Sequence, residues 1–198
     1  MKRIRPFIGT ELIKVMTGIR RCGKSVMLEL IKEELVESGI SSAQFISINF
    51  EDLNFSHLQT AKSLHDEITK RAAEINDKVY LFFDEIQNVD GWHLFVNRLL
   101  RQGLHLVITG SNAKLLSSEL STHLTGRYNE IRLYPFSFRD YCLSRNFEIA
   151  VPTTKNVAAL KNALDQFLLE GGFPEMLALH NKRAYVGSLI EAVITKDI

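Results

Sequence analysis

The fold of this chain is decided by one stretch of sequence, Gly18-Ile19-Arg20-Arg21-Cys22-Gly23-Lys24-Ser25. It matches the phosphate-binding pattern G-x-x-x-x-G-K-[ST] at every fixed position. Residues 12–17 before it have the pattern of a strand, and residues 26–31 after it have the pattern of a helix start. A strand that turns through glycines into a helix N-terminus directs backbone N–H groups and the positive end of the helix dipole towards a phosphate. This context favours a true phosphate loop over a chance match.

Each fixed residue of the loop has a predicted role. Gly18 and Gly23 allow the backbone to approach the phosphates where a Cβ atom would clash. Lys24 would contact the β- and γ-phosphates, and the Ser25 hydroxyl would be a ligand of Mg²⁺, which prefers oxygen. Either of the two arginines could contact phosphate. A solvated or acid-paired side chain is an equal alternative for each of them. The predicted nucleotide-binding residues are Gly18, Ile19, Arg20, Arg21, Cys22, Gly23, Lys24, Ser25 and Val26.

Composition suits an ordinary globular protein. Of the 198 residues, 45% are hydrophobic and 24% are charged, with a formal net charge of +1. No apolar run approaches the roughly 20 residues that span a membrane, the N-terminus lacks the apolar segment of a secretory signal, and the two cysteines form no disulfide framework. We therefore expect a cytoplasmic protein without a membrane span. The near-neutral charge gives no general case for nucleic-acid binding, although a local basic surface stays open.

A second stretch, Val79-Tyr80-Leu81-Phe82-Phe83-Asp84-Glu85, predicts a strand buried on both faces that ends in two acids. We expect Asp84 to hold Mg²⁺, usually through water, and Glu85 to act as the general base on the attacking water. The alternative is that the two acids only solvate the end of the strand. The phosphate loop earlier in the chain makes this alternative less favoured. The separation leaves room for a strand at 44–50, a pattern of ATPases with an extra strand between the two motif strands.

Two more positions are candidates for catalysis. The predicted strand at 104–109 leads into Ser111 and Asn112, either of which would contact the γ-phosphate or the attacking water in the role called sensor 1. Capping a helix is an equal alternative for them. Arg127 lies between a predicted helix at 113–123 and a strand that follows. Oligomeric ATPases that share this order of motifs have an arginine finger at this position, which acts on the γ-phosphate bound by a neighbouring subunit. An internal salt bridge is an equal alternative for Arg127.

These motifs, taken together, resemble the prokaryotic AAA+-type ATPases often called archaeal-type predicted ATPases, over nearly the whole chain. The segments that carry the resemblance are Thr17–Ser25, Phe83–Gln87, Thr109–Asn112, Leu124–Arg127, Leu133–Phe138 and Gly171-Gly172-Phe173-Pro174-Glu175. The resemblance implies an α/β fold: a P-loop NTPase three-layer α/β/α sandwich of the AAA+/ASCE type with a mainly parallel sheet. It also implies ATP and Mg²⁺ as cofactors, and a C-terminal domain with a winged-helix-like part in the full family protein.

The resemblance carries roles over by matching position. Lys24 and Ser25 serve phosphate and metal, and Asp84 serves metal. Glu85 is the catalytic acidic residue. Asn112 or Ser111 is the sensor, and Arg127 is the candidate arginine finger. We expect an ATPase core at 1–152 and a helical lid or linker at 153–198, the truncated start of a C-terminal region. An apolar stripe runs almost to the terminus without a capping signal, which suggests that the natural protein continues. It consists of Val186, Leu189, Ile190, Val193 and Ile194.

The leading functional hypothesis is an ATPase that hydrolyses ATP with Mg²⁺ and drives a conformational change in an attached domain or partner. Its expected partners are ATP, further copies of the chain as a homo-oligomer, the C-terminal domain, and an unidentified protein or nucleic acid. The main alternative is a nucleotide-dependent binding switch with negligible hydrolysis. A P-loop small-molecule kinase ranks lower, because no lid or acceptor-pocket motif is present. A GTPase is disfavoured because Asn181-Lys182-Arg183-Ala184 lacks the Asp of N-K-x-D.

Overall fold

The computed structural model describes residues 5–7, 10–111, 122, 124, 126–147, 154–177, 179 and 182–197. Five strands form one sheet, and every strand pair in it is parallel. The strands are β1 (Ile13–Gly18), β2 (Phe45–Asn49), β3 (Tyr80–Asp84), β4 (His105–Ser111) and β5 (Tyr128–Arg132). The helices are α1 (Lys24–Glu37), α2 (Ala61–Ala73), α3 (Trp92–Arg101), α4 (Phe138–Ser144), α5 (Thr154–Glu170) and α6 (Lys182–Asp197).

The strand order in the sheet is β2-β3-β4-β1-β5. The strand expected at 44–50 is present as β2, but it forms the sheet edge beyond β3. In space, β4 is the strand that separates β1 from β3, because it pairs with both of them. The two motif strands are therefore not neighbours, and side chains of β4 lie between them.

Two apolar clusters cover the two faces of the sheet. Alternate residues of a strand point to opposite faces, so Val15, Leu81 and Phe83 pack with α2 and α3, whereas Met16 and Phe82 pack with α1. Both β1 and β3 are buried along their whole length, as expected for parallel strands covered on both sides. The predicted three-layer α/β/α arrangement is confirmed.

Helix α1 follows the phosphate loop and packs through one face. Its buried residues are Lys24, Leu28, Ile31 and Leu35, at the spacing of a single helical face. Three of them are apolar and contact the sheet through the cluster that contains Met16. The first, Lys24, lies at the start of the helix, beside the carboxyl end of β1 in sequence. Packing of this face therefore fixes where the Lys24 and Ser25 side chains are presented.

The described residues form two compact units. One contains the residues up to Gly18 and Lys24–Leu133, and the other contains Ile19–Gly23 together with the residues from Tyr134 onward. In the second unit α4 packs on α5 through a cluster around Tyr141, Cys142 and Ala163. Ser137 begins α4 with a capping box, since its hydroxyl accepts from the Asp140 N–H while Asp140 accepts from the Ser137 N–H. None of the helices in the described ranges combines the length and apolarity that crossing a membrane requires.

Candidate functional site

The carboxyl ends of β1, β3 and β4 meet at one edge of the sheet. Gly18, the last residue of β1, is paired in register with Ser111, the last residue of β4. Asp84 ends β3, and Glu85 follows it directly. Ligands of open parallel sheets bind outside this edge. The structure therefore brings the sequence-predicted Gly18, Asp84, Glu85 and Ser111 to the edge where the sheet geometry favours a ligand.

Lys24 and Glu85 form a buried ion pair. The Lys24 Nζ lies 3.3 Å from Glu85 Oε1, and only 4% and 10% of the two side chains are exposed. The same ammonium group donates to the Gly18 carbonyl at 3.2 Å. An ammonium in so little water needs anionic or carbonyl partners. A phosphate group could take the place of Glu85, which would free a carboxylate oxygen next to the new anion.

Glu85 is held by its backbone as well as by its side chain. Its φ of 55° and ψ of 50° lie in the left-handed region, where a residue with a Cβ atom is strained. Its N–H donates to Thr109 Oγ1 at 3.0 Å, and Gln87 Nε2 donates to Glu85 Oε2 at 2.5 Å. Strained backbone persists only where its surroundings fix it. Thr109 and Gln87 are two of the residues that hold it here, together with Lys24.

Asp84 and Ser25 share a cleft of about 260 Å³, which Asn49 also lines. The Thr109 hydroxyl donates to Asp84 Oδ1, so one carboxylate oxygen is oriented by the neighbouring strand. Hydroxyl and carboxylate oxygens are donors that suit Mg²⁺. In the part of the chain that the structure describes, no three His, Cys, Asp or Glu residues are grouped to hold a metal ion. Ser25 and Asp84 are residues of this cleft that would hold a Mg²⁺.

The loop segment Ile19–Gly23 belongs to the second unit. It turns tightly, because the Cys22 N–H donates to the Ile19 carbonyl and because Gly23 has a φ of 99°. Arg21 has a left-handed φ of 62°, and its guanidinium lies 2.9 Å from Glu175 Oε2. Its hydrogen bond with Tyr185, together with the charge of Glu175, raises the pKa of Arg21. In the structure Arg21 is paired with an acid, and its contact with phosphate stays a prediction.

Arg127 lies at the other end of the strands. Its carbonyl accepts from the Ile13 N–H at 3.0 Å, beside the first residue of β1. Gly18 is at the carboxyl end of that strand, roughly 16 Å away at the usual rise per residue. The exposed Arg127 side chain lines a separate cleft of about 650 Å³ with Glu11, Arg101 and Leu100. The structure thus does not bring Arg127 to the edge that carries Lys24 and Glu85.

Of the two residues predicted as sensor, the structure describes Ser111. Ser111 is buried at the carboxyl edge, in register with Gly18. Asn112 and most of the predicted helix at 113–123 lie outside the described residues. Val26 lines the same cleft as Ser25 and is itself largely exposed.

Comparison with known proteins decides the family. A family model described as an AAA domain matches residues 10–142 of this chain. This chain belongs to the AAA domain family. The matched residues include the phosphate loop, all five strands, and the Asp84-Glu85 pair, so the AAA domain is the part of the chain that carries the candidate site.

Two curated relatives resemble this chain over almost all of its length. An uncharacterised protein of Haemophilus influenzae is 33% identical over 201 residues, covering 100% of this chain and 49% of the relative. An uncharacterised protein of Methanocaldococcus jannaschii is 35% identical over 191 residues, covering 94% of this chain and 42% of the relative. The chain therefore spans about half the length of these relatives.

Two solved structures resemble the AAA domain in fold. The first is the Saccharomyces cerevisiae Hsp104:casein complex, with a TM-score of 0.57 and 15% identity, covering 96% of this chain and 37% of that one. The second is Cdc6p from Pyrobaculum aerophilum, with a TM-score of 0.50 and 17% identity, covering 72% of this chain and 45% of that one. At such identities the likeness establishes the fold, a P-loop ATPase-type α/β domain, and nothing about substrates.

Sequence reasoning missed two residues of the AAA domain's site, Thr109 and Gln87. Thr109 contacts both Asp84 and the backbone of Glu85. It had a detectable signal, because it is a polar residue in the otherwise apolar run Leu106–Thr109, on a strand predicted to be buried. The sequence signal for Gln87 was weaker. Its contact with Glu85 depends on the left-handed backbone conformation of Glu85, and no local sequence pattern predicts that conformation.

Proposed function

We propose that this AAA domain binds ATP with Mg²⁺ and hydrolyses it. The observation that carries the proposal is the buried contact between Lys24 and Glu85 at the carboxyl edge of the sheet. It joins a cation suited to phosphate with a carboxylate suited to activating water. Neither residue has another evident reason to be charged and buried at that place, because a buried ion pair is costly compared with apolar packing.

The proposed roles follow from the contacts. Lys24 leaves Glu85 for the γ-phosphate, and the released Glu85 Oε1 accepts a proton from the attacking water. Gln87 keeps hold of the other oxygen, so the carboxylate stays oriented during the exchange. Thr109 holds the Glu85 backbone N–H and the Asp84 carboxylate at a fixed spacing. Catalysis would then rest on positioning and charge stabilisation.

Ser25 and Asp84 would hold Mg²⁺, which supplies charge neutralisation on the phosphate oxygens. The loop residues Gly18–Val26 would surround the phosphates through backbone N–H groups. Ser111 is proposed as the polar group next to the γ-phosphate, since it ends β4 beside Gly18. Asn112 keeps the same proposed role from its place in the sequence.

Arg127 is proposed to act on a second copy of the chain. Its place at the amino end of β5 is opposite to the edge that holds Lys24, which supports action on another molecule's γ-phosphate over action on its own. A homo-oligomer in the cytoplasm would provide that arrangement. Because the relatives are about twice as long, we further propose that hydrolysis drives a conformational change in an attached region or in a protein or nucleic-acid partner.

A nucleotide-dependent switch with negligible hydrolysis is the second candidate. One observation favours it: Lys24 engages one Glu85 oxygen and Gln87 engages the other. A carboxylate that pairs with a cation at one oxygen and accepts a hydrogen bond at the other is a weaker base towards water than a carboxylate without these partners. If ATP binding does not displace Lys24 from Glu85, the domain binds nucleotide and turns it over slowly.

Mg-ATP binding and phosphate release, measured together, separate these functions. The ATPase proposal predicts phosphate release by the wild type, and binding without release by Glu85→Gln. The switch predicts tight binding by both proteins and release by neither. Absence of Mg-ATP binding by the wild type would contradict both.

A further inference from the structure

Arg21 occupies a backbone conformation that suits glycine better than arginine. Its φ of 62° lies in the left-handed region, which glycine adopts without the steric cost that a Cβ atom brings. Arg21 is the middle of the loop segment Ile19–Gly23. A strained residue persists where its surroundings over-determine it, and the contacts of the Arg21 side chain provide such surroundings.

Those contacts form a three-residue cluster in the second unit. Arg21 Nη1 donates to Glu175 Oε2 at 2.9 Å. The Tyr185 hydroxyl donates to the same oxygen at 2.5 Å. The Arg21 guanidinium carbon also lies 5.2 Å from the centre of the Tyr185 ring, within the range of a cation–π contact. One carboxylate oxygen and one aromatic ring thus fix the direction of the Arg21 side chain.

Glu175 is itself held in place by the backbone that precedes it. Gly172 lies so close to Phe136 that a Cβ atom would come within 2.1 Å of the Phe136 carbonyl oxygen. The Phe136 N–H donates to the Gly172 carbonyl at 2.6 Å, and Met176, next to Glu175, is buried. This explains the segment Gly171-Gly172-Phe173-Pro174-Glu175, to which the ATPase proposal assigns no role. Gly172 allows the backbone of this segment to approach Phe136 closely, and this approach anchors Glu175.

We propose that Glu175 and Tyr185 are positioning residues of the phosphate loop, acting through Arg21. They hold the left-handed turn at the loop's centre and so preorganise its N–H groups for a nucleoside polyphosphate. This inference rests on the proposed function for its ligand. It goes beyond that function by assigning control of the loop to the short 3-10 helix Pro174–Leu177 and to α6, where Glu175 and Tyr185 lie.

An ordinary surface ion pair is the competing explanation. The Arg21 and Glu175 side chains are 43% and 51% exposed, and exposed pairs contribute little to stability. The pair of Arg71 and Glu67 on α2 offers a comparison, because its atoms lie 2.6 Å apart and its side chains are 39% and 27% exposed, somewhat less than those of Arg21 and Glu175. Glu67→Gln removes the same charge from a pair that has no link to the loop, so it measures the generic effect.

The test combines hydrogen exchange and nucleotide affinity on the full chain. Glu175→Gln should speed amide exchange of the peptide covering residues 18–24 and weaken Mg-ATP binding, each by roughly two- to fivefold, the range expected for one partly exposed ion pair. Tyr185→Phe should do the same to a smaller extent, since it keeps the ring. Glu67→Gln should change neither. All three proteins should share one thermal midpoint.

A double-mutant comparison separates positioning from general destabilisation. In an Arg21→Gly background, Glu175→Gln should have no further effect on loop exchange, because the side chain through which Glu175 contacts the loop is gone. An undiminished effect there, or unchanged exchange in Glu175→Gln alone, would overturn the inference. The exchange measurement needs no nucleotide. Failure of the wild type to bind Mg-ATP would therefore count against the proposed function, while the exchange data still decide the role of Glu175.

Discussion

Lys24 Nζ lies 3.3 Å from Glu85 Oε1, so the lysine predicted to bind phosphate contacts the acid predicted to activate water. The sequence separates these residues by two strands and two helices. Because the pair is nearly excluded from solvent, removal of either group leaves the other one buried without its partner. The loss of either partner should therefore lower stability, and the loss of Lys24 should also weaken nucleotide binding.

Lys24→Ala should lower both nucleotide affinity and stability. Removing one charge-assisted contact to phosphate should weaken Mg-ATP binding by roughly ten- to a hundredfold. Leaving Glu85 buried without its cation should lower the free energy of unfolding by about 3 kcal/mol. Calorimetry and denaturant unfolding measure the two effects. Lys70→Ala, at an exposed position on α2, is the control. If Lys24→Ala unfolds like that control, the buried pair does not have the energetic role assigned to it.

Thr109→Val tests the link between β3 and β4. The substitution keeps the shape and removes a hydroxyl that donates to Asp84 and accepts from the Glu85 N–H. We expect a loss of about 1–3 kcal/mol in the free energy of unfolding and a higher Mg²⁺ requirement for ATP turnover. Thr17→Val is matched to it, because Thr17 is equally buried and its hydroxyl donates instead to Glu130. A higher Mg²⁺ requirement in both variants, or in neither, would contradict the assignment.

The fold was largely predictable from sequence, for a physical reason. Strands β1, β3 and β4 are buried on both faces and are therefore rich in apolar residues, and the phosphate loop fixes the order of strand, loop and helix. Contacts between distant side chains were not predictable. Arg21 and Glu175 are 154 positions apart, and no local period brings them together. The position of β2 at the edge of the sheet could likewise not be predicted from the sequence, because strand order depends on the crossover connections and not on the sequence of the strand itself.

Lys14 should make stability depend on pH at the alkaline side. Burial lowers the pKa of Lys14 to about 8, from 10.5. Between these values the unfolded chain binds a proton that the folded chain does not, so stability rises with pH through this window. Wild-type protein should gain stability, up to about 3 kcal/mol in total, from pH 8 upward. Lys14→Met should lack this part of the gain. Unfolding curves from pH 7.5 to 9.5 measure it, and parallel slopes for the two proteins would refute it.

Arg127→Ala should affect hydrolysis and leave binding alone. The residue lies at the amino end of β5, away from Lys24, so its expected contribution is to a neighbouring copy. At protein concentrations that favour self-association, turnover should fall by about a thousandfold, the lower range for an arginine finger. Mg-ATP affinity of the dilute protein should be unchanged. Arg101→Ala, in the same cleft, is the control. Equal slowing of dilute and concentrated Arg127→Ala would indicate a structural role within one chain.

The most direct test of the central claim is phosphate release from Mg-ATP by wild-type protein and Glu85→Gln, each across a range of protein concentration. Binding of Mg-ATP is measured on the same samples. The account predicts that both proteins bind, that wild-type turnover per chain rises with concentration, and that Glu85→Gln releases no phosphate above background. Turnover by Glu85→Gln at the wild-type rate would show that another group activates water and would contradict the account.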